Sequence, residues 1–161
     1  MNSCRILFVA INARYTHSNP ALLYLRKNIE DLGFQTSVLE FTTGKTEKQI
    51  TEIIKCFKPD VLALSVYIWN SLKVKNLLEM IKEEIPGVII VLGGPEVSFN
   101  SGEWINACNG IDYIITGGGE ESFRNLALSG FTSDSRIIPG SNPHFSLIKF
   151  PYNSEDMKRL S

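Results

Sequence analysis

The sequence is poor in the residues that most often announce chemistry. Its three cysteines, Cys4, Cys56 and Cys108, stand far apart without C-x-x-C spacing, so neither a disulfide framework nor a cysteine metal site is expected and buried or incidental thiols remain. Histidine occurs twice, as His17 and His144, and His144 lies in a polar stretch near the end that reads as surface. Lysine and arginine form no run and the formal charge is -1, which removes the electrostatic footprint of a nucleic-acid binder. No apolar stretch approaches the roughly 20 residues of a membrane span. The apolar segment Ile6 to Ile11 is short, lacks a small-residue cleavage site and leads into Asn12 and Arg14; it reads as a strand, not a signal peptide. The expectation is a soluble, cytoplasmic chain with neither nucleic acid nor membrane as partner.

What is present is a regular alternation. At 161 residues with 43% apolar content, the chain is long enough for one well-buried core. Apolar runs suited to buried strands occur at Arg5 to Ile11, Val61 to Tyr67, Val88 to Leu92 and Ile111 to Thr116, and the more alternating Thr36 to Phe41 suits an outer strand. Helical patterns fill the gaps. Asn19 is placed to cap the first, with Pro20 at its first position, Leu22, Leu25, Ile29 and Leu32 on one face and Gly33 at its end. The second starts near Thr46, turns Ile50, Ile53, Ile54 and Phe57 inward and must stop before Pro59. The third runs from Ser71 toward Pro86-Gly87, and shorter ones cover Ser101 to Cys108 and Glu121 to Ser129. Five such units predict a five-stranded parallel sheet of order 2-1-3-4-5, a flavodoxin-like three-layer α/β sandwich. After Gly130 the pattern decays into a polar, proline-containing tail that reads as a linker.

Two glycine clusters follow apolar runs: Gly93-Gly94-Pro95-Glu96 and Gly117-Gly118-Gly119-Glu120. Singly, such glycines supply turns and helix caps. At equivalent ends of adjacent strands they let the backbone approach a large ligand, at the edge where open α/β sheets bind theirs. The chain has no G-x-G-x-x-G after the first strand, no P-loop and no G-x-S-x-G elbow, which disfavours dinucleotides, a phosphate cradle and nucleophilic hydrolysis. The carboxylates of a phospho-acceptor domain are missing where Ile11-Asn12 and Ser65-Val66-Tyr67 stand. A site of main-chain amides, glycines and small hydroxyls remains, with Tyr15, Tyr67 and Trp69 nearby. Tyr67 and Trp69 also suit ordinary packing, and Glu96, Glu120 and Glu121 also suit helix starts near the dipole.

Ser65 on the third strand and the two glycine strings together resemble the cobalamin-binding domain at the N-terminus of many radical S-adenosylmethionine enzymes. The loop Asn12-Ala13-Arg14-Tyr15-Thr16-His17 is similar to that group as well, and the resemblance covers residues 3 to 150. It implies a corrin ring over the strand ends and a dimethylbenzimidazole tail in a slot between sheet and helices, with the cofactor held base-off. The residues it places beside the cofactor are Arg14, Tyr15, His17, Ser65, Tyr67 and Trp69, then Gly93, Gly94, Pro95 and Glu96, then Gly117, Gly118, Gly119 and Glu120. It divides the chain into a cobalamin-binding domain over 1–140 and a linker over 141–161, containing Phe150-Pro151-Tyr152, toward a C-terminal radical domain. That domain would use S-adenosylmethionine and an iron-sulfur cluster for methyl transfer or another radical reaction.

Two departures qualify the resemblance. Methyltransferase relatives with a cobalt-ligating histidine carry D-x-H-x-x-G, whereas this chain reads Tyr15-Thr16-His17-Ser18-Asn19-Pro20; His17 stands at the ligand position without the carboxylate that orients such a ring. The sequence also contains no C-x-x-x-C-x-x-C, so the chain lacks the radical machinery: either it stops at the linker of a longer protein, or the domain acts alone as a carrier. Two other readings stay open: a small α/β enzyme binding a nucleotide or sugar donor at the same strand ends, with Glu96 and Glu120 as anchors or acids, and a non-catalytic interaction domain.

Overall fold

The strand β1 (Arg5–Asn12) is a nearly unbroken apolar run and is buried from Ile6 onward, as a central strand covered on both faces must be. The computed structural model describes residues 3–14, 19–141 and 150–160. Helix α1 (Pro20–Asn28) follows, then β2 (Gln35–Thr42), α2 (Glu47–Phe57), β3 (Val61–Ser65), α3 (Ser71–Glu84) and β4 (Ile89–Gly93). Two short helices, α4 (Pro95–Phe99) and α5 (Ser101–Ala107), precede β5 (Tyr113–Thr116), α6 (Glu120–Leu128), β6 (Ile137–Pro139) and α7 (Ser154–Leu160). The sheet has order β2-β1-β3-β4-β5-β6, and every pairing is parallel. It is flavodoxin-like as expected, with one strand more. The sixth was hidden because only three residues pair and Pro139 offers no N–H, which confines it to an edge.

Side-chain alternation along the strands sorts the core into two layers. Leu7, Val9, Leu62, Leu64, Ile90 and Leu92 face α2, α3 and α5, where Ile50, Ile54, Leu77, Ile81 and Trp104 meet them. Ile6, Phe8, Ala10, Ala63, Val91 and Ile115 face α1 and α6, where Leu22, Phe123 and Leu126 meet them. The rings of Phe8 and Phe123 lie 5.4 Å apart between centroids.

Local signals explain the element ends. Thr46 and Gln49 form a reciprocal capping box at the start of α2, and Lys58, before Pro59, ends it at φ 47. Phe57, expected inward, is 37% exposed in that last turn. The third strand stops at Ser65 rather than Tyr67 because Asn70 ties off the loop. Its Oδ1 accepts from Tyr67 N at 2.9 Å, and its Nδ2 donates to Ile11 O at 3.0 Å and Ser65 O at 3.2 Å.

Candidate functional site

Ser65 pairs in register with Gly93. By alternation Ser65 and Gly93 follow Ala63 and Val91 on the face toward α1 and α6, and Gly117, just past β5, lines the same cavity. A hydroxyl and two bare Cα atoms cannot fill the gap that larger side chains fill lower down. The result is a predominantly apolar cavity of about 440 Å³ between sheet and helices, within the roughly 300–1,000 Å³ usual for small-molecule sites. Ala21, Leu22 and Leu25 of α1 form one wall and Phe123 of α6 another, over Ala63, Val91 and Ile115.

The mouth is held by the glycine loops. Ser98 joins them, its Oγ donating to Gly94 O at 2.8 Å and accepting from Gly117 N at 3.0 Å. Gly94 has φ +107, and a Cβ there would lie 2.5 Å from Val66 O. Its bareness is required by the fold itself, because a side chain there would run into the Val66 backbone. At Gly93 a Cβ would meet only Ile115 O, at 3.8 Å.

Polar groups are few and specific. Asn19 is 5% exposed, and its Nδ2 donates to Ser65 Oγ at 2.7 Å. Glu120 borders the cavity, and its Oε2 is buried without a hydrogen-bond partner among the described residues, a costly arrangement unless something else supplies a donor. Tyr67 also borders the cavity and stacks on Trp69, centroids 4.4 Å apart and planes at 9°.

Of the residues singled out from sequence, Ser65, Tyr67, Gly93, Gly94, Pro95, Gly117, Gly118, Gly119 and Glu120 line this one cavity. Trp69 does not; it is half-exposed behind Tyr67 and donates from Nε1 to Ile11 O at 3.3 Å. Glu96 does not border the cavity, and its backbone N–H donates to Val66 O at 3.3 Å. Arg14 is exposed just past β1, while Tyr15 and His17 lie outside the described residues. The wall residues of α1, Ser98 and Phe123 were not foreseen as site residues, since their sequence pattern is that of ordinary helix faces. Among the described residues no group of three or more His, Cys, Asp or Glu can hold a metal ion.

A doubly wound sheet with a deep slot at the carboxyl ends of its strands defines a ligand-binding α/β domain for a bulky organic cofactor. The sequence matches the B12 binding domain family over residues 6–127, and the chain belongs to that family. It is 36% identical over 84 residues to the 2-(S-pantetheinyl)-carbapenam-3-carboxylate methyltransferase of Streptantibioticus cattleyicolor, covering 51% of this chain and 12% of that protein. It is 31% identical over 129 residues to the anaerobic magnesium-protoporphyrin IX monomethyl ester cyclase of Rubrivivax gelatinosus, covering 74% of this chain and 23% of that one. The fold is similar to that of the cobalamin-dependent S-adenosylmethionine radical enzyme OxsB, with a TM-score of 0.68 and 15% identity, covering 98% of this chain and 25% of OxsB.

The residues present fit a cobalamin. Apolar walls separated by small side chains suit a flat aromatic base, and the Glu120 Oε2, without a partner among the described residues, and the Ser65 hydroxyl are groups that the polar atoms of a nucleotide tail would satisfy. The cofactor reading is favoured over the nucleotide-enzyme and interaction-domain readings.

Proposed function

We propose that this chain is the cobalamin-carrying module of a cobalamin-dependent radical S-adenosylmethionine protein, a methyltransferase or a related radical enzyme. The observation that carries the reading is the slot itself, opened by Ser65, Gly93 and Gly117 at the ends of three adjacent strands. Residues 1–140 form the module, and 141–161 lead toward a radical domain in the same polypeptide that binds S-adenosylmethionine and the iron-sulfur cluster. The chain spans 12% of the first relative and 23% of the second, which supports a longer parent.

Bound cobalamin supplies a cobalt centre that can carry a methyl group or an electron. The work of this chain is to bind, orient and exclude water. Ala21, Leu22, Leu25 and Phe123 would clasp the tail between helices and sheet, Ser65 would donate to it, and Glu120 would accept from it. A tail lodged there would be kept from the cobalt, the base-off form that the resemblance implies. Tyr67, which borders the cavity with Trp69 stacked on it, would lie beside the corrin, and the resemblance adds Arg14, Tyr15 and His17, which follow β1 in the sequence.

Purified chain mixed with hydroxocobalamin and desalted should keep the corrinoid and show a shifted visible spectrum. An unshifted spectrum with no cofactor retained would defeat the reading.

A further inference from the structure

Asn19 stands at the N-cap of α1, with φ -102 and ψ 90, yet its side chain makes no capping hydrogen bond. Asparagine is favoured at this position because its Oδ1 accepts from the first turn. Here Oδ1 is buried without a partner among the described residues, and the amide turns its Nδ2 to Ser65 Oγ, 2.7 Å away. Glu40 on β2 holds the arrangement in place. Its Oε2 accepts from Asn12 Nδ2 at 2.6 Å and from the backbone N–H of Asn19 at 3.3 Å. A residue that breaks a local rule this plainly is serving something else.

The consequence falls on Ser65. A hydroxyl has one proton and two acceptor sites; the Asn19 amide occupies an acceptor site, and among the described residues the Ser65 hydroxyl donates to no protein group. Ser65 borders the cavity. We propose that Asn19 is a positioning residue: by donating to Ser65 Oγ instead of capping α1, it aims the Ser65 proton into the slot and selects a tail base carrying an acceptor nitrogen. This rests on the cobalamin reading above.

The test compares hydroxocobalamin with cobinamide, the corrinoid that lacks the nucleotide tail, by spectral titration of wild type, Asn19→Ser, Asn19→Asp, Ser65→Ala and the Asn19→Ser/Ser65→Ala double variant. Serine is as good an N-cap as asparagine, so Asn19→Ser should keep its Tm while its cobalamin affinity falls about tenfold and its cobinamide affinity stays unchanged. Asn19→Asp, isosteric but without the donor, should show the same tail-specific loss. The double variant should bind no more weakly than Ser65→Ala, since both changes remove one interaction. Wild-type cobalamin affinity in both Asn19 variants, equal loss of both corrinoids, or additive losses would overturn the assignment while leaving the cofactor reading standing. Failure of wild type to hold either corrinoid would overturn both.

Discussion

Gly93 and Gly94 are adjacent, yet the structure asks different things of them. Gly94 sits at φ +107 against the Val66 backbone, a conformation and a contact that no side chain suits. Gly94→Ala should therefore cost at least roughly 1–3 kcal/mol, read as a Tm drop of about 2–4 °C per kcal/mol. Gly93 has ordinary backbone geometry, and a side chain there meets only Ile115 O at 3.8 Å before entering the slot. Gly93→Leu should leave the Tm within a few degrees and weaken corrinoid binding at least tenfold. Equal behaviour of the two variants would refute this division of labour. Both glycines and Ser65 were legible from sequence because a buried strand that gives way to bare backbone leaves space at the sheet's ligand-binding edge. The role of Asn19 was not: Asn-Pro before an apolar helical face reads as a cap, and its true partner lies 46 positions away.

At the scale of elements, strongly patterned segments were legible and short ones were not. The capping box of α2 and the apolar face of α3 are written in neighbouring residues, whereas β6 and α4 are too short to show a period. Helix α2 also carries a titration. The Glu47 carboxyl lies below the ordinary glutamate range, chiefly because its own backbone N–H donates to it at the helix start, with Lys73 and Asn76 adding hydrogen bonds. A folded pKa below the unfolded one gives stability that is fully present above the unfolded value, about 4.3, and is lost as pH falls through the folded value. Glu47→Gln should thus be less stable than wild type at neutral pH, by under about 1 kcal/mol because the pair with Lys73 is near water. The two should converge at the acid end of the titration, once the pH has fallen through that folded value and the carboxyl is protonated. Urea midpoints at the two pH values decide it; a gap that persists in acid would rule the linkage out.

At the scale of the molecule, the two faces of the sheet are unequal. The layer against α2, α3 and α5 is filled by large side chains to the strand ends, and the layer against α1 and α6 stops short at serine and glycine, so among the described residues the room for a ligand lies on that second side. The tail reaches that same side. Pro151 is buried, Asn153 Oδ1 accepts from the backbone N–H of Glu155 at 3.0 Å and of Asp156 at 2.8 Å, and Asp156 pairs with Arg26 of α1, their side chains 13% and 16% exposed. The sheet, both apolar layers and every lining residue of the cavity nevertheless precede residue 141. A chain ending at Ser141 should therefore unfold in one cooperative transition and take up cobalamin as the longer chain does, with Arg26 released to water. Asp156→Ala in the full chain should lower the Tm more than the truncation does, because Arg26 then keeps its cover and loses its partner. Calorimetry and spectral titration of both proteins test this. If the shortened chain loses its cofactor or its cooperativity, the module does not end near residue 140, and α7 belongs to the site's supporting wall.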